Sequence, residues 1–339
     1  MTLWLVRAGS HGEGETLALD QNLAVIGWER MPDLTTLPDR EHLKAALAEA
    51  YPDSSPGKLA NWAGQLHTFA RQLQKGDLVA LPLKSRAAVV IGRVEGDYEY
   101  RTDLGPQFQH VRPVTWLREF ARTEFDQDLL YSLGAFMTVC QIKRGDAEAR
   151  FNAMLKGTKL PTPSPITTPT DEDAPQEVDL EQYGRDQISG YILQRFKGHG
   201  MARLLEGILK AQGYTVYRSP EGADGGIDLL AGQGVLGFAP PRLGVQVKSS
   251  EGPADVKVVR ELQGVLRDFG ADQGLFLSWG GFNKSAYAEA RKRFFNIRLW
   301  DAKDLVDALL SVYDQLDPEL QAELPLKRVW TLVSEERDG

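Results

Sequence analysis

Asp228, Gln246 and Lys248 are the residues whose types and spacing can carry chemistry. Asp228 closes the run Asp224-Gly-Gly-Ile-Asp228, and Gln246 and Lys248 lie in Gly244-Val-Gln-Val-Lys248, 18 positions on (246 − 228). Residues two apart on a strand share a face, so Gln246 and Lys248 point one way while Val245 and Val247 point to the apolar side. If the two segments are neighbouring strands, a carboxylate, an amide oxygen and an amine converge. Phosphodiester hydrolysis wants that set: a hard divalent cation takes the oxygens of Asp228, Gln246 and the Val247 backbone carbonyl. The Lys248 ammonium orients water and offsets growing negative charge. Gln-x-Lys by itself also describes an ordinary edge strand with a solvated polar face, so the surrounding elements matter.

Those elements alternate. Helices are expected over Leu180–Phe196 and Met201–Gln212, the second stopped by Gly213. Strands follow over Thr215–Arg218, Gly226–Ala231 and Leu243–Lys248, then helix Val256–Phe269, strand Gly274–Ser278, helix Lys284–Phe294, strand Ile297–Trp300 and helix Asp301–Tyr313. Lys327–Val333 reads as one more strand. The pattern is an α/β fold, a central mixed sheet flanked by helices.

The stretch LLEGILKAQGYTVY, DGGIDLL, GVQVKSS, VRELQGVLRDFGADQGLFLSWGGF and RLWDAKDLVDALL resembles, in motif order and spacing, the catalytic domain of Mrr-like restriction endonucleases of the PD-(D/E)xK kind. The resemblance covers about Glu181–Leu310 and implies a metal-dependent endodeoxyribonuclease with Asp228, Gln246 and Lys248 as the metal and water residues. It implies Mg²⁺, with Mn²⁺ able to substitute, and double-stranded DNA as substrate. One departure stands out. Family members carry a glutamate on the first helix where this chain has Ala202. Glu206, one helical turn later, and His199 are the candidates to replace it. Gln263, Lys284 and Arg291 are candidate DNA contacts, with Lys292 and Arg293 beside the last.

The first half carries no comparable chemistry. His11, His42, His67 and His110 have no metal-ligand spacing, and no glycine-rich phosphate loop is evident. An α+β domain with a curled sheet is expected, with strands Leu3–Arg7, Leu23–Ile26, Leu78–Leu83, Ala87–Val94, Gly96–Tyr100 and His110–Trp116 and helices Asp39–Ala50 and Leu59–Leu73. Aromatics recur among polar residues. The pattern LWLVRAG, IGW, KGDLVALP, IGRVEGDYEY and HVRPVTW resembles EVE/PUA-like domains over about Met1–Phe120. That resemblance implies an aromatic pocket for a flipped, modified base, with Trp28 and Tyr98 as stacking faces and Asp97 as a hydrogen-bond acceptor.

The domain division expected is 1–155 for base reading, 156–179 as a linker of proline, threonine and acids, and 180–339 for the nuclease with a C-terminal extension. With 42% hydrophobic and 25% charged residues over 339 positions, the composition is that of an ordinary soluble protein. Net charge of −8 argues against non-specific coating of nucleic acid. No apolar run reaches the roughly 20 residues of a membrane span, and Cys140 is the one cysteine, which fits a reducing cytoplasm. No nucleotide cofactor is expected. The function expected is a modification-dependent, type IV-like restriction enzyme in phage defence, acting as a homodimer because one site cuts one strand. Two other readings stay open: a structure-specific or repair nuclease indifferent to base modification, and a DNA-binding module whose nuclease site has decayed.

Overall fold

The computed structural model describes residues 2–158, 160, 179–220, 225–250 and 252–330. The proline-rich linker at 161–178 and the tail from 331 lie outside the described residues. By internal packing the chain divides into two units, with the division after Tyr183.

The first unit is built on Leu3–Val6 (β1), Leu23–Ile26 (β2), Leu78–Pro82 (β3), Ala88–Val94 (β4), Glu99–Tyr100 (β5), His110–Ala121 (β6) and Val139–Gln141 (β7). They form one mixed sheet in the order β2-β6-β4-β3-β1-β7, with β5 also on β6. Only β1 and β3 run parallel. Among the described residues no ladder joins β2 to β7, so the expected curling does not close a hydrogen-bonded barrel. β1, β2 and β3 are buried at every position, because core packs on both faces. Leu5, Ile91 and Phe151 fill one cluster; Trp28, Trp62 and Phe69 fill another.

The helices of this unit are Glu15–Gln21 (α1), Arg40–Ala50 (α2), Pro56–His67 (α3), Gln127–Leu133 (α4) and Ala147–Leu155 (α5), and α3 continues as a π-helical turn over Thr68–Gln72. Asp39 caps α2 by accepting from the amides of Glu41 and His42, and Ser55 with Pro56 starts α3, in keeping with cap and N1 preferences. α1, α4 and α5 were not expected. Each is short, and such helices draw their stability from tertiary contacts more than from periodicity. The buried Glu15 carboxylate shows how: it accepts from the Lys84 amide at 2.5 Å, the Ser85 amide at 3.3 Å and the Ser85 hydroxyl at 2.5 Å. The link between β3 and β4 is thereby clamped to α1.

The second unit contains Leu180–Arg195 (α6), His199–Ala211 (α7), Thr215–Arg218 (β8), Leu229–Gln233 (β9), Ala239–Lys248 (β10), Val256–Leu266 (α8), Gln273–Ser278 (β11), Lys284–Arg291 (α9), Ile297–Trp300 (β12), Ala302–Val312 (α10) and Pro318–Glu323 (α11). α6 straddles the division after Tyr183. The strand order is β12-β11-β10-β9-β8. β10, β11 and β12 are parallel, whereas β8 and β9 join them antiparallel. This is the expected mixed sheet flanked by helices.

Helices α8 and α9 cover the face of Phe276, where Ile227, Leu262, Leu266 and Ile297 form one cluster. Helices α7 and α10 pack on each other and take the other face. Gly244 and Gly274 let α8 approach closely: a Cβ on Gly244 would come 2.7 Å from Leu266, and one on Gly274 would come 2.9 Å from Leu262. Gly213 ends α7 at φ +91°, as expected from its type. Two details depart from expectation. The strand expected from Gly226 begins only at Leu229, so Asp228 stands just ahead of it. No strand forms over 327–330, and the rest of the strand expected at Lys327–Val333 lies outside the described residues.

Candidate active site

The site forms where β9 starts and β10 ends. Strand β10 pairs with β9 only as far as Val245, opposite Leu229. Continuing that register one residue sets Asp228 opposite Gln246, and directly opposed residues share a face. Beyond this point Asp228 replaces the missing ladder. Its amide donates to the Val245 carbonyl at 2.9 Å, and its Oδ2 accepts from the Val247 amide at 2.7 Å. The peptide groups of a strand point alternately to its two neighbours. Lys248 O accepts from Trp279 on the β11 side at 2.8 Å, so Val247 turns its N–H and carbonyl toward Asp228.

Gln246 and Lys248 are both half-buried on this face. A Cβ on Gly226 would lie 3.6 Å from Gln246 Nε2 and 3.6 Å from Val265; the bare backbone at φ +86° leaves the amide its room. Gln246 Oε1 is buried and accepts no hydrogen bond among the described residues, and a buried acceptor of this kind is normally satisfied. The Lys248 ammonium makes neither an ion pair nor a hydrogen bond within the described residues. An oxygen without a donor, a carboxylate and a backbone carbonyl are the donors a hard divalent ion takes. The residues present therefore fit such an ion, with one limit. No three His, Cys, Asp or Glu side chains converge among the described residues, and Asp228 is the carboxylate of this set.

Glu206 is largely buried on α7, and its oxygens are engaged by Lys210 at 2.7 Å and Arg218 at 3.4 Å. Arg218 is registered opposite Leu229, so Glu206 stands at the level of the site with its charge already compensated. Ala202 is buried. His199 is exposed at the start of α7, where the Gly198 amide donates to Ser249 Oγ at 3.1 Å, next to Lys248.

The candidate DNA contacts separate. Lys284 opens α9, just after β11 reaches the active end, and is exposed. Gln263 lies near the far end of α8, on the order of 10 Å from its start, where it accepts from Arg293 Nε at 2.5 Å. Arg293 also pairs with Glu289, which in turn holds Lys292 at 3.5 Å. The structure thus uses Gln263, Arg293 and Glu289 as a strut between α8 and α9, and leaves the Lys292 side chain 72% exposed. Arg291 is exposed at the same far end of α9.

In the first unit, Asp97 and Tyr98 line a cavity of about 260 Å³ together with Arg71, Gln74, Lys75 and Arg112. This is on the small side of the roughly 300–1,000 Å³ usual for ligand pockets. Arg112 is buried scaffold: it donates to the carbonyls of Phe69 at 2.7 Å, Gly96 at 3.0 Å and Ala70 at 3.0 Å, which holds the segment carrying Asp97. Tyr98 accepts from the Leu34 amide at 3.2 Å and bonds His110 Nδ1 at 2.8 Å. Trp28 is not among the lining residues. It is 2% exposed, sits edge-on to Trp62 at 6.0 Å, and holds φ at +67°, an outlier for a bulky side chain. No sequence signal separated Arg112 or His110 from ordinary strand residues.

Replacing Gln246 with glutamate gives a further expectation. A second carboxylate raises divalent-ion affinity by at least about tenfold, about 1.4 kcal/mol. Without metal it buries an uncompensated charge and lowers stability. Calorimetric Mn²⁺ titration of wild type and Gln246→Glu, with melting curves with and without Mn²⁺, reads both effects. Equal Mn²⁺ affinity in the two proteins would exclude position 246 from the ligand set.

Residues 193–309 match the restriction endonuclease family, and residues 4–142 match a domain of unknown function (DUF8426). Nothing among the curated proteins matches. Among solved structures, the DNA modification-dependent restriction endonuclease AspBHI is 16% identical, over 76% of this chain and 70% of its own, with a TM-score of 0.33. The MspJI restriction endonuclease in complex with a 27-mer oligonucleotide is 13% identical, over 95% of this chain and 71% of its own, with a TM-score of 0.34. Both global likenesses are low. The family match, over residues 193–309, lies within the second unit. The second unit carries a restriction-endonuclease domain, and the protein is a deoxyribonuclease.

Proposed function

We propose that the protein is a metal-dependent endonuclease that cleaves double-stranded DNA carrying a modified base, in the manner of a type IV-like restriction enzyme. The observation that carries the hydrolytic part is the buried Gln246 Oε1 without a donor, beside Asp228 and Lys248. Asp228, Gln246 and the Val247 carbonyl would hold Mg²⁺. A bound ion would supply Lewis acidity toward the phosphate and lower the pKa of water at the site. Asp228 Oδ2, tied to the Val247 amide, keeps the carboxylate aimed along the end of β10. Lys248, flexible and uncompensated, reaches the scissile phosphate, orients the attacking water and balances charge as the phosphorane forms. Lys284, at the active end of α9, meets a flanking phosphate.

Base reading is assigned to the cavity lined by Asp97 and Tyr98, with Trp28 acting through the core behind it and not as a stacking face. Asp97 accepts from an exocyclic amine, and Tyr98 offers its ring. One site cuts one strand, so double-strand cleavage is assigned to a homodimer.

The deciding experiment is cleavage of matched plasmids, with and without methylated bases, in Mg²⁺. Cleavage of methylated plasmid by at least about tenfold over plain plasmid is expected, and Asp97→Ala is expected to erase that preference. Equal cutting of both plasmids returns the first unit to a general DNA clamp. Bound but uncut DNA in both Mg²⁺ and Mn²⁺ would overturn the assignment of this site.

A further inference from the structure

Three buried side-chain polar atoms of the second unit lack a hydrogen-bond partner among the described residues: Gln246 Oε1, Ser278 Oγ and Trp279 Nε1. Leaving a buried hydroxyl unsatisfied costs about 1–3 kcal/mol, and an alanine would avoid that cost. Ser278 is wholly buried and closes β11 in direct register with Lys248 on parallel β10. Registered neighbours on adjacent strands stand side by side, about 4.8 Å apart in backbone spacing. Ser278 therefore shares the face of Lys248 and, through Phe276, of Gln246. Trp279, one residue on, turns to the other face. Lys248 for its part has an ammonium that no described residue engages. An acceptor without a donor lies next to a donor without an acceptor.

We infer that Ser278 is a positioning residue for DNA cleavage. Its hydroxyl accepts a hydrogen bond from the Lys248 ammonium when DNA is bound, and fixes that ammonium over the scissile phosphate. With the long lysine stem free, the ammonium samples many positions; one hydrogen bond from a rigid strand removes most of them. In the free protein neither the ammonium nor the hydroxyl has a partner among the described residues. The inference rests on the assignment of Lys248 to the active site.

The test compares Ser278→Thr, which keeps the hydroxyl, with Ser278→Val, which has the same shape without it. Steady-state cleavage of a plasmid in Mg²⁺ and melting curves are measured on the full chain. Ser278→Thr is expected to retain cleavage. Ser278→Val is expected to lose about 10- to 100-fold in kcat, the worth of one hydrogen bond to a charged group, with KM for DNA unchanged. Its melting temperature should equal or exceed that of Ser278→Thr, because an unsatisfied buried hydroxyl has been removed. A merely structural serine would show the reverse, a lower melting temperature with kcat intact. Should the valine variant fail to fold, Ser278→Ala against wild type gives the same comparison. Equal kcat with and without the hydroxyl overturns the inference. Lys248→Ala, run alongside, separates the two levels: if it cleaves like wild type, the active-site assignment itself has failed, and if it alone is inactive, only the role of Ser278 has.

Discussion

Lys248→Ala and Asp228→Asn are each expected to lower the rate of DNA cleavage by about 10²- to 10³-fold, the effect typical of removing one charged group from a preorganised transition-state site. The two should fail differently. Lys248 engages no described residue, so its truncation leaves folding and Mn²⁺ binding intact while cleavage falls. Asp228 has two tasks. Its Oδ2 accepts from the Val247 amide at 2.7 Å, where β9 has not yet begun and no strand could accept instead. Asp228→Asn keeps an oxygen for that amide but gives up the charge, so the protein should melt as wild type does while Mn²⁺ affinity drops. Asp228→Ala gives up both. The half-buried amide then loses its acceptor at about 1–3 kcal/mol, and the second unit melts several degrees lower. Plasmid nicking, Mn²⁺ calorimetry and melting curves on the three variants check the set. Wild-type nicking by Lys248→Ala and Asp228→Asn in Mg²⁺ would remove this site from the reaction.

The second large effect concerns acid. His110 is fully buried on β6, stacked at 6.0 Å on Tyr98 and tilted at 5.4 Å against Tyr100. Burial pulls its pKa down to about 4 from an ordinary 6.5. The Tyr98 hydroxyl accepts from the Leu34 amide and keeps a proton to give to a neutral His110 ring at Nδ1, 2.8 Å away. Between pH 6.5 and 4 the unfolded chain binds a proton that the folded one refuses. Stability is therefore complete above pH 6.5 and is lost as pH falls toward 4, by on the order of 3 kcal/mol. In His110→Gln, whose amide oxygen still accepts from Tyr98, that loss should vanish. Asp304 in the second unit works in the opposite sense, its carboxyl raised to about 6 by burial and then by Asp301, but it is common to both proteins and cancels in the comparison. Urea unfolding of wild type and His110→Gln at pH 7, 5.5 and 4.5 measures the difference. Parallel pH dependence in the two would show that His110 ionises freely.

Local information carried some of this molecule a long way. Thr215–Arg218 and Ile297–Trp300 form strands where their β-branched and aromatic runs say they should, because such runs fit a pleated surface without outside help. The Gln246–Lys248 pair was legible for the same reason: period two is a property of the strand itself. Asp228 was legible as a type but not as a position, since where β9 begins depends on which residue of β10 it meets. The short helices α1 and α4 were illegible, because a two-turn helix exists only when something packs on it.

Pairing between distant segments decided the rest. Ser278 is 30 positions from Lys248 (278 − 248), and nothing local distinguishes it from any strand-ending serine; parallel pairing of β10 and β11 alone makes them neighbours. Gln263 and Arg293 have the chemistry of DNA contacts, but they meet each other at the far end of α8. Trp28 and Tyr98 are both buried aromatics, yet only Tyr98 lines the cavity. An amino-acid type specifies what a side chain can do. Which partner it finds depends on register and helix packing, and those are set by the whole core at once.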